Sequence, residues 1–324
     1  NTHMTKIKSK ITPDTILKNF WKDNNRFADL FNACFFDGNP KLNPDDLTEV
    51  DTDISSLLQF HGYAETVKRI VDVVKKSAYG VDFVILGIEN QAKIHYAMPL
   101  RHMLGDAFSY LKEYNEIAKK YKDEKPHGTP DEFLSKMKKT DRLHSVLTIC
   151  IYYGETPWDG PRSLIDMLEI PDAFKPLISD YRFNLIELRK SEHLKFHNDD
   201  VDKIFNISRF IFDEKYDKIT DIFKDENISS ELAMVIGCIT ESQKLINDAV
   251  ESEEKGGSVN MCKALEKLEE RGRQEGRLEG RLEGRLQGQM VTKLKLILKK
   301  VHKNKSFEQI VDELEEDADV VQPL

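Results

Sequence analysis

The 324-residue chain has no apolar run long enough to cross a bilayer. Its longest, Val81–Ile88 and Val146–Tyr153, fall far short of the roughly 20 residues a membrane helix needs. Cysteines are few: Cys34, Cys150, Cys238 and Cys262 lie far apart, which excludes a CxxC zinc or redox motif and a disulfide framework. Cys34 and Cys150 sit in apolar stretches, as small buried thiols do. No histidine pair has the HExxH spacing, so His95, His102 and His144 read as helix-surface or partly buried residues. Sixteen glycines and eleven prolines are too few for a collagenous or linker-dominated chain. A basic excess is missing too: 48 basic against 57 acidic residues leave a net charge of −9. That argues against a uniformly basic nucleic-acid binder and leaves local basic patches open. With no charged-then-apolar leader, the expectation is a soluble, reduced, cytoplasmic protein.

Hydrophobic residues make up 40% of the chain, enough for a packed core. Asn1-Thr2-His3 ahead of Met4 reads as a cloning scar, and 1–13 as scar plus extension. Phe20, Trp21, Phe27, Leu30, Phe31 and Cys34 recur at helical spacing, predicting one amphipathic helix over 14–37, stopped by Asp37-Gly38-Asn39-Pro40. A short helix is possible within 45–59. Arg69–Val74 is β-branched, Lys75–Gly80 polar, and Val81–Gln91 apolar until its last residues, which predicts a hairpin. Helical period returns over 94–122, and a lysine-rich loop is expected at 121–141. Strands are expected at 146–153 and 181–188, and helices over 199–252. The fold class is α/β or α+β within a domain spanning 14–252. A linker is expected at 253–262 and a separate helical tail at 263–324.

The predicted hairpin carries acids where its apolar climbs end. A carboxylate at the end of a buried strand must be solvated, paired or bound to a cation. Two carboxylates sharing a site resist joint ionisation unless a cation neutralises them. Oxygen ligands select a hard ion such as Mg²⁺ or Mn²⁺, which activates water and stabilises charge on a phosphoryl group. Residues 85, 87, 89 and 91 share a face by strand alternation. With a turn at Ala78-Tyr79, Asp72 would oppose Ile85, and Asp72, Glu89 and Gln91 would point the same way. Glu89 would then lie four residues past Asp72's partner, roughly 13 Å at ~3.3 Å per residue, a gap that a shifted turn, bulge or twist must shorten. Gly87, lacking a side chain, leaves room for an ion. From spacing alone, solvated strand ends are the plain alternative.

Asp72, sixteen intervening residues, then Glu89-Asn90-Gln91 resembles the PD-(D/E)XK nuclease signature in the variant where glutamine replaces lysine. Arg26–Asn32, Gly87–Gln91, Tyr96–Arg101 and Tyr152–Trp158 resemble one branch of it, the recombination-promoting nuclease family, grouped with transposases. The likeness covers roughly 15–250. It implies a restriction-endonuclease-like core, a central mixed β-sheet flanked by helices, and metal-dependent endonucleolytic hydrolysis of DNA in recombination or mobile-element biology. Asp72 and Glu89 would hold Mg²⁺, with Mn²⁺ as a substitute and the Asn90 carbonyl completing the set. Gln91 would position water or contact the scissile phosphate. Because glutamine supplies a dipole where lysine supplies charge, another cation is needed, Lys93 first, with Lys75, Lys76 and Arg69 near in sequence. Relatives often add a first-helix acid, for which Asp29 or Asp23 could serve. The family's His-Asp pair, however, is here Asp23-Asn24.

Arg101 could bind phosphate through its fork of donors or form a salt bridge with Asp106. Trp158, Tyr152 and Tyr153 could stack on bases, although packing beneath the Pro157–Pro161 loop is the stronger reading. Weak DNA-contact candidates are Lys119, Lys120, Lys122, Lys136, Lys138 and Lys139, with salt-sensitive binding expected. Glycines at 272, 276, 280, 284 and 288 punctuate a Gly-Arg-Leu-Glu repeat. As a helix it stripes like charges at i,i+4, so 263–290 reads as either a conditional self-association helix or disorder. Lys293–Lys303 then reads as a basic amphipathic helix, and Ser306–Gln309 as a capping box. A DNA-binding or self-associating remnant without turnover, and a regulatory interaction module run by the tail, are the two alternatives to an enzyme.

Overall fold

The first expected helix is present in two pieces, because of one aspartate. In the computed structural model, which describes residues 12–50, 74–86, 94–124, 128–154, 156–224 and 226–314, α1 (Pro13–Lys22) starts at the Thr12 cap and stops at Asp23. Asp23 leaves helical geometry (ψ 127°), and its carboxylate accepts from Arg26 N to cap α2 (Asn24–Phe36). Its side chain competes with the backbone for the next turn's N–H groups, so continuous helix is lost. Phe20, Trp21, Phe27, Leu30 and Phe31 are nevertheless all buried on the two pieces.

A five-stranded sheet follows in the order β1 (Thr48–Glu49), β2 (Val74–Ala78), β3 (Val81–Leu86), β4 (Ser145–Tyr152), β5 (Asn184–Glu187). The first three strands are antiparallel and the last three parallel. Parallel neighbours need a crossover, and the chain between β3 and β4 contains the long helix α3 (Met98–Glu124). The sheet is covered on both faces. On one, Phe31 meets Phe83 edge-on at 5.2 Å and Trp21 Nε1 donates to Tyr153 Oη. On the other, α3 places His102 against the Thr148 carbonyl, and Met98 packs with Tyr152, Trp158 and Phe183. The fold is therefore α/β, with a central mixed sheet flanked by helices.

Three local expectations need correcting. Lys75–Ala78 is strand rather than turn, and the hairpin closes in two residues, Tyr79 (φ 55°) and Gly80 (φ 72°). Two positive φ values match the right-handed twist of the flanking strands. The loop expected at 121–141 contains α4 (Pro130–Ser135), started by a reciprocal Thr129–Glu132 capping box with Pro130 in the first turn. The linker expected at 253–262 contains β7 (Ser258–Asn260), which pairs with β6 (Asn227–Ser229) because Ile228 and Val259 bury one another. The helices between β5 and β7 are α5 (Asp199–Phe212), α6 (Tyr216–Phe223), α7 (Ser230–Ile239) and α8 (Gln243–Lys255).

The chain divides into two compact units, residues 1–262 and 263–324. Helix α9 (Met261–Val301) runs 41 residues and is followed by α10 (Phe307–Leu314). Ser306 and Gln309 cap α10 reciprocally. Glu313 pairs with Lys300 and Lys305, which hold its carboxyl well below the usual range, at about 2. No described helix is long and apolar enough to cross a membrane.

Candidate functional site

The β2–β3 hairpin is the scaffold on which the sequence places its chemistry. Val74 opposes Ile85, Lys76 opposes Phe83, and Ala78 opposes Val81. Ile85 is thus paired with Val74 and not with Asp72, a two-residue correction that follows from the later, tighter turn. These positions form the face toward α1 and α2, while Lys75, Ser77, Asp82 and Val84 form the face toward α3. Asp72, Gly87, Glu89, Asn90, Gln91 and Lys93 lie outside the described residues, as does Arg69.

The cations weighed as replacements for the missing lysine are separated by the pleat. Lys75 Nζ sits 2.9 Å from Asp82 Oδ2 on the α3 face, both side chains nearly buried. Lys76 is 1% exposed on the other face. Its Nζ donates to the Lys22 carbonyl and Asn24 Oδ1, each at 2.6 Å. Burial holds its pKa below the ordinary lysine value, opposed by the more distant Glu49 and Asp23 charges. Asn24 in turn donates to the Pro44 and Leu47 carbonyls. Lys76 therefore ties the α1–α2 corner to the sheet.

Among the described residues, Asp29 is partnered away from the strands of this hairpin. It lies 200° around α2 from Phe27, and its Oδ1 accepts from the backbone N–H of His197 at 2.9 Å. Arg101 is half-buried on α3, with Nη1 toward Met98 Sδ. Asp106 is turned inward, where Thr148 Oγ1 donates to it at 2.6 Å and Tyr181 Oη also donates. Lys119, Lys120 and Lys122 are exposed near the end of α3, and Lys136 and Lys139 are exposed just after α4. Lys138 is half-buried, its N–H bonded to Asp141, and Lys139 N–H bonds to Glu132. Acids are thus interleaved with the second lysine group. Trp158 and Tyr152 are buried and edge-on at 5.2 Å, a packing role and not a base-stacking platform. Cys34 and Cys150 are pushed up to about 12 by burial and stay protonated.

One cluster went unnoticed in the sequence. His102, 2% exposed, hydrogen-bonds through Nε2 to the Thr148 carbonyl and through Nδ1 to Tyr181 Oη, and Tyr181 also reaches Asp106. Burial keeps His102 below its ordinary pKa against the pull of Asp106, and burial with the Asp106 bond raises Tyr181. The signal was an i,i+4 His–Asp pair on the apolar side of α3. Among the described residues, no three His, Cys, Asp or Glu side chains form a metal-binding group. No protein-family model, curated protein or solved structure matches the chain.

Proposed function

We propose that the chain is a divalent-metal-dependent DNA endonuclease of the recombination-promoting, PD-(D/E)XK type, with its site at the open end of the β2–β3 hairpin. The observation that carries this reading is the register. Counted from the Val74–Ile85 pair, Asp72 is two residues out and Glu89 four. If both strands continued in this register, the offset would be two residues, about 7 Å at ~3.3 Å per residue, half the gap that a turn at Ala78-Tyr79 would impose. Asp72 shares the parity of Val74 and Lys76, and Glu89 and Gln91 share that of Phe83 and Ile85, so one sheet face would carry all three.

Two carboxylates and a backbone carbonyl are the hard-oxygen donor set that suits Mg²⁺ or Mn²⁺. Such an ion, when bound, supplies the charge that activates water and stabilises a transferring phosphoryl group. Asp72 and Glu89 would hold it with the Asn90 carbonyl, and Gln91 would orient water or the phosphate. Lys75 is committed to Asp82 on the opposite face and Lys76 to the α1–α2 corner, which favours Lys93 for the missing positive charge. The test is nicking of supercoiled plasmid with Mg²⁺, Mn²⁺, Ca²⁺ or EDTA. Cleavage with Mg²⁺ or Mn²⁺ is expected to fall at least ~100-fold in Asp72→Ala and in Glu89→Ala, the scale of losing a positioned electrostatic stabiliser. Metal-independent cleavage, or activity surviving both substitutions, would sink the assignment.

The tail supports a second copy of this chain as partner. Leu278, Leu282, Leu286 and Met290 recur every four residues on α9 and are each more than half exposed. Around Gly280, Gly284 and Gly288 there is open space even where a Cβ would stand. Arg277, Arg281 and Arg285 line one side of the repeat, with Glu283 also exposed. Two such helices meeting along the leucine stripe, opposite the glycines, would bury the leucines and bring the flanking arginines of one against the glutamates of the other. Light scattering should report a dimer or larger for the wild type and a monomer for Leu282→Glu/Leu286→Glu. An unchanged mass in the variant would remove the tail as the interface.

A further inference from the structure

Each leucine of the repeat on α9 sits between a base and an acid or amide, always in the same order. The sequence spells Arg-Leu-Glu at 277–279 and 281–283 and Arg-Leu-Gln at 285–287. With about 100° between successive helical residues, the arginine lies to one side of its leucine and the glutamate or glutamine to the other. The glycine, two residues past the leucine, lies opposite. The stripe therefore has a polarity across its width as well as a direction along the helix. Leu278, Leu282 and Leu286 are 73%, 61% and 58% exposed, and Arg281, Glu283 and Arg285 beside them are exposed too.

Two-fold symmetry converts that polarity into an orientation, because a surface that binds its own copy must be self-complementary. In an antiparallel pair the axis crosses the helices, so arginine rows meet arginine rows and acid rows meet acid rows. In a parallel pair the axis runs along the helices, and each arginine row meets the other helix's acid row. Unlike charges attract across such a seam, and like charges set against one another repel. We propose that α9 docks in parallel on α9 of a second copy, with Glu283 between the partner's Arg281 and the partner's Arg285. This orientation rests on the tail being the self-association surface. Spacing limits the extent of the contact. Residues four apart overshoot a full turn, so the stripe drifts about 40° per repeat. Rows of this kind superpose when two helices cross at about −50°, and helices so inclined separate on either side of the crossing. That separation suits the sequence beyond the repeat. Lys293 and Lys295 flank Leu294 on both sides, where a continued seam would oppose lysine to lysine in either orientation. The contact is thus confined to the arginine–leucine repeat, and parallel pairing puts the N-terminal ends of the two α9 helices at the same end of the pair.

The test uses the full chain. Leu282→Cys and Leu286→Cys, oxidised separately beside the wild type as a blank for the native thiols, should each give disulfide-linked dimers. A parallel two-fold pair sets every stripe residue against itself, whereas an antiparallel pair does so for at most one of these two. A tail-dependent dimer in which one variant alone, only their mixture, or neither cross-links would overturn the orientation. Glu283→Arg gives a readout whose sign differs between the two arrangements. In a parallel pair it opposes arginine to arginine and should weaken dimerisation about tenfold by sedimentation equilibrium at low salt. In an antiparallel pair it relieves an acid–acid contact, so unchanged or tighter association would also overturn the proposal. Light scattering keeps the two levels apart. A wild-type monomer, or a dimer that persists in Leu282→Glu/Leu286→Glu, removes the tail as the interface and the orientation with it. A dimer lost in that double variant but cross-linked in the wrong pattern removes the orientation alone.

Discussion

Lys75 and Lys76 are neighbours in the chain and face opposite sides of the sheet. Lys75 meets a carboxylate, Asp82, in a nearly buried ion pair. Lys76 is more deeply buried yet its close partners are neutral oxygens, the Lys22 carbonyl and the Asn24 amide, with exposed Glu49 only at 3.9 Å. A pair of opposite charges and a charge solvated by dipoles are different devices. The first fails when one member is removed and recovers when both go. The second has no single partner whose deletion restores balance. The α3 face thus carries its polar groups as mutually dependent sets, Lys75–Asp82 and His102–Asp106–Tyr181, whereas the α1–α2 face carries one cation fastening a helix corner.

The contrast can be broken most sharply by Lys75→Met, expected to cost about 3 kcal/mol because Asp82 is left buried and unpaired. Adding Asp82→Leu should return most of that loss. Lys76→Met should cost about 2 kcal/mol through two unsatisfied oxygens, and adding Glu49→Gln should return none of it. Urea unfolding of the four variants tests both statements, and a Lys76 loss that Glu49→Gln rescues would collapse the distinction. The smallest effect concerns pH. Burial depresses the folded His102 pKa, so the unfolded chain takes the proton first on acidification. The stability it contributes is present above about 6.5 and lost as pH falls through the lower folded value. Between pH 7.5 and 5.5 the wild type should lose about 2 °C more in Tm than His102→Gln, the scale of a sub-kcal/mol change in a domain this size.

Hydrophobic period made the architecture legible where elements were long or strongly apolar. β4, β5, α3 and the burial of Phe27 and Phe31 were all readable that way. It failed where one polar side chain redirects the backbone, as Asp23 does between α1 and α2, and where a turn depends on φ and not on polarity. Lys75 and Lys76 looked like turn residues because both are charged. Their alternate placement across the pleat, with one lysine buried, is a tertiary choice that overrides strand propensity. Asp72 and Glu89-Asn90-Gln91, the site expected from the sequence, lie outside the described residues. Asp29 shows the limit: on a helix wheel it belongs to the same apolar helix as Phe27, but only the packing of His197 reveals which way its carboxylate turns. The buried Asp106 was equally hidden, since Thr148 and Tyr181 come from distant segments.

The parallel pairing of β3 with β4 also sets a schedule for making the protein. The β2–β3 hairpin needs only a two-residue turn and can close as soon as it leaves the ribosome. Its other ladder partner begins at Ser145, roughly sixty residues later, which is about 3–12 s of synthesis at typical elongation rates. For that interval one edge of an apolar strand stands open on the nascent chain, with α1 and α2 able to cover one face and α3, made in the meantime, the other. Slowing translation within 94–144 should therefore raise the burden on chaperones more than slowing it after Glu187, where the last strand of this sheet has already been made.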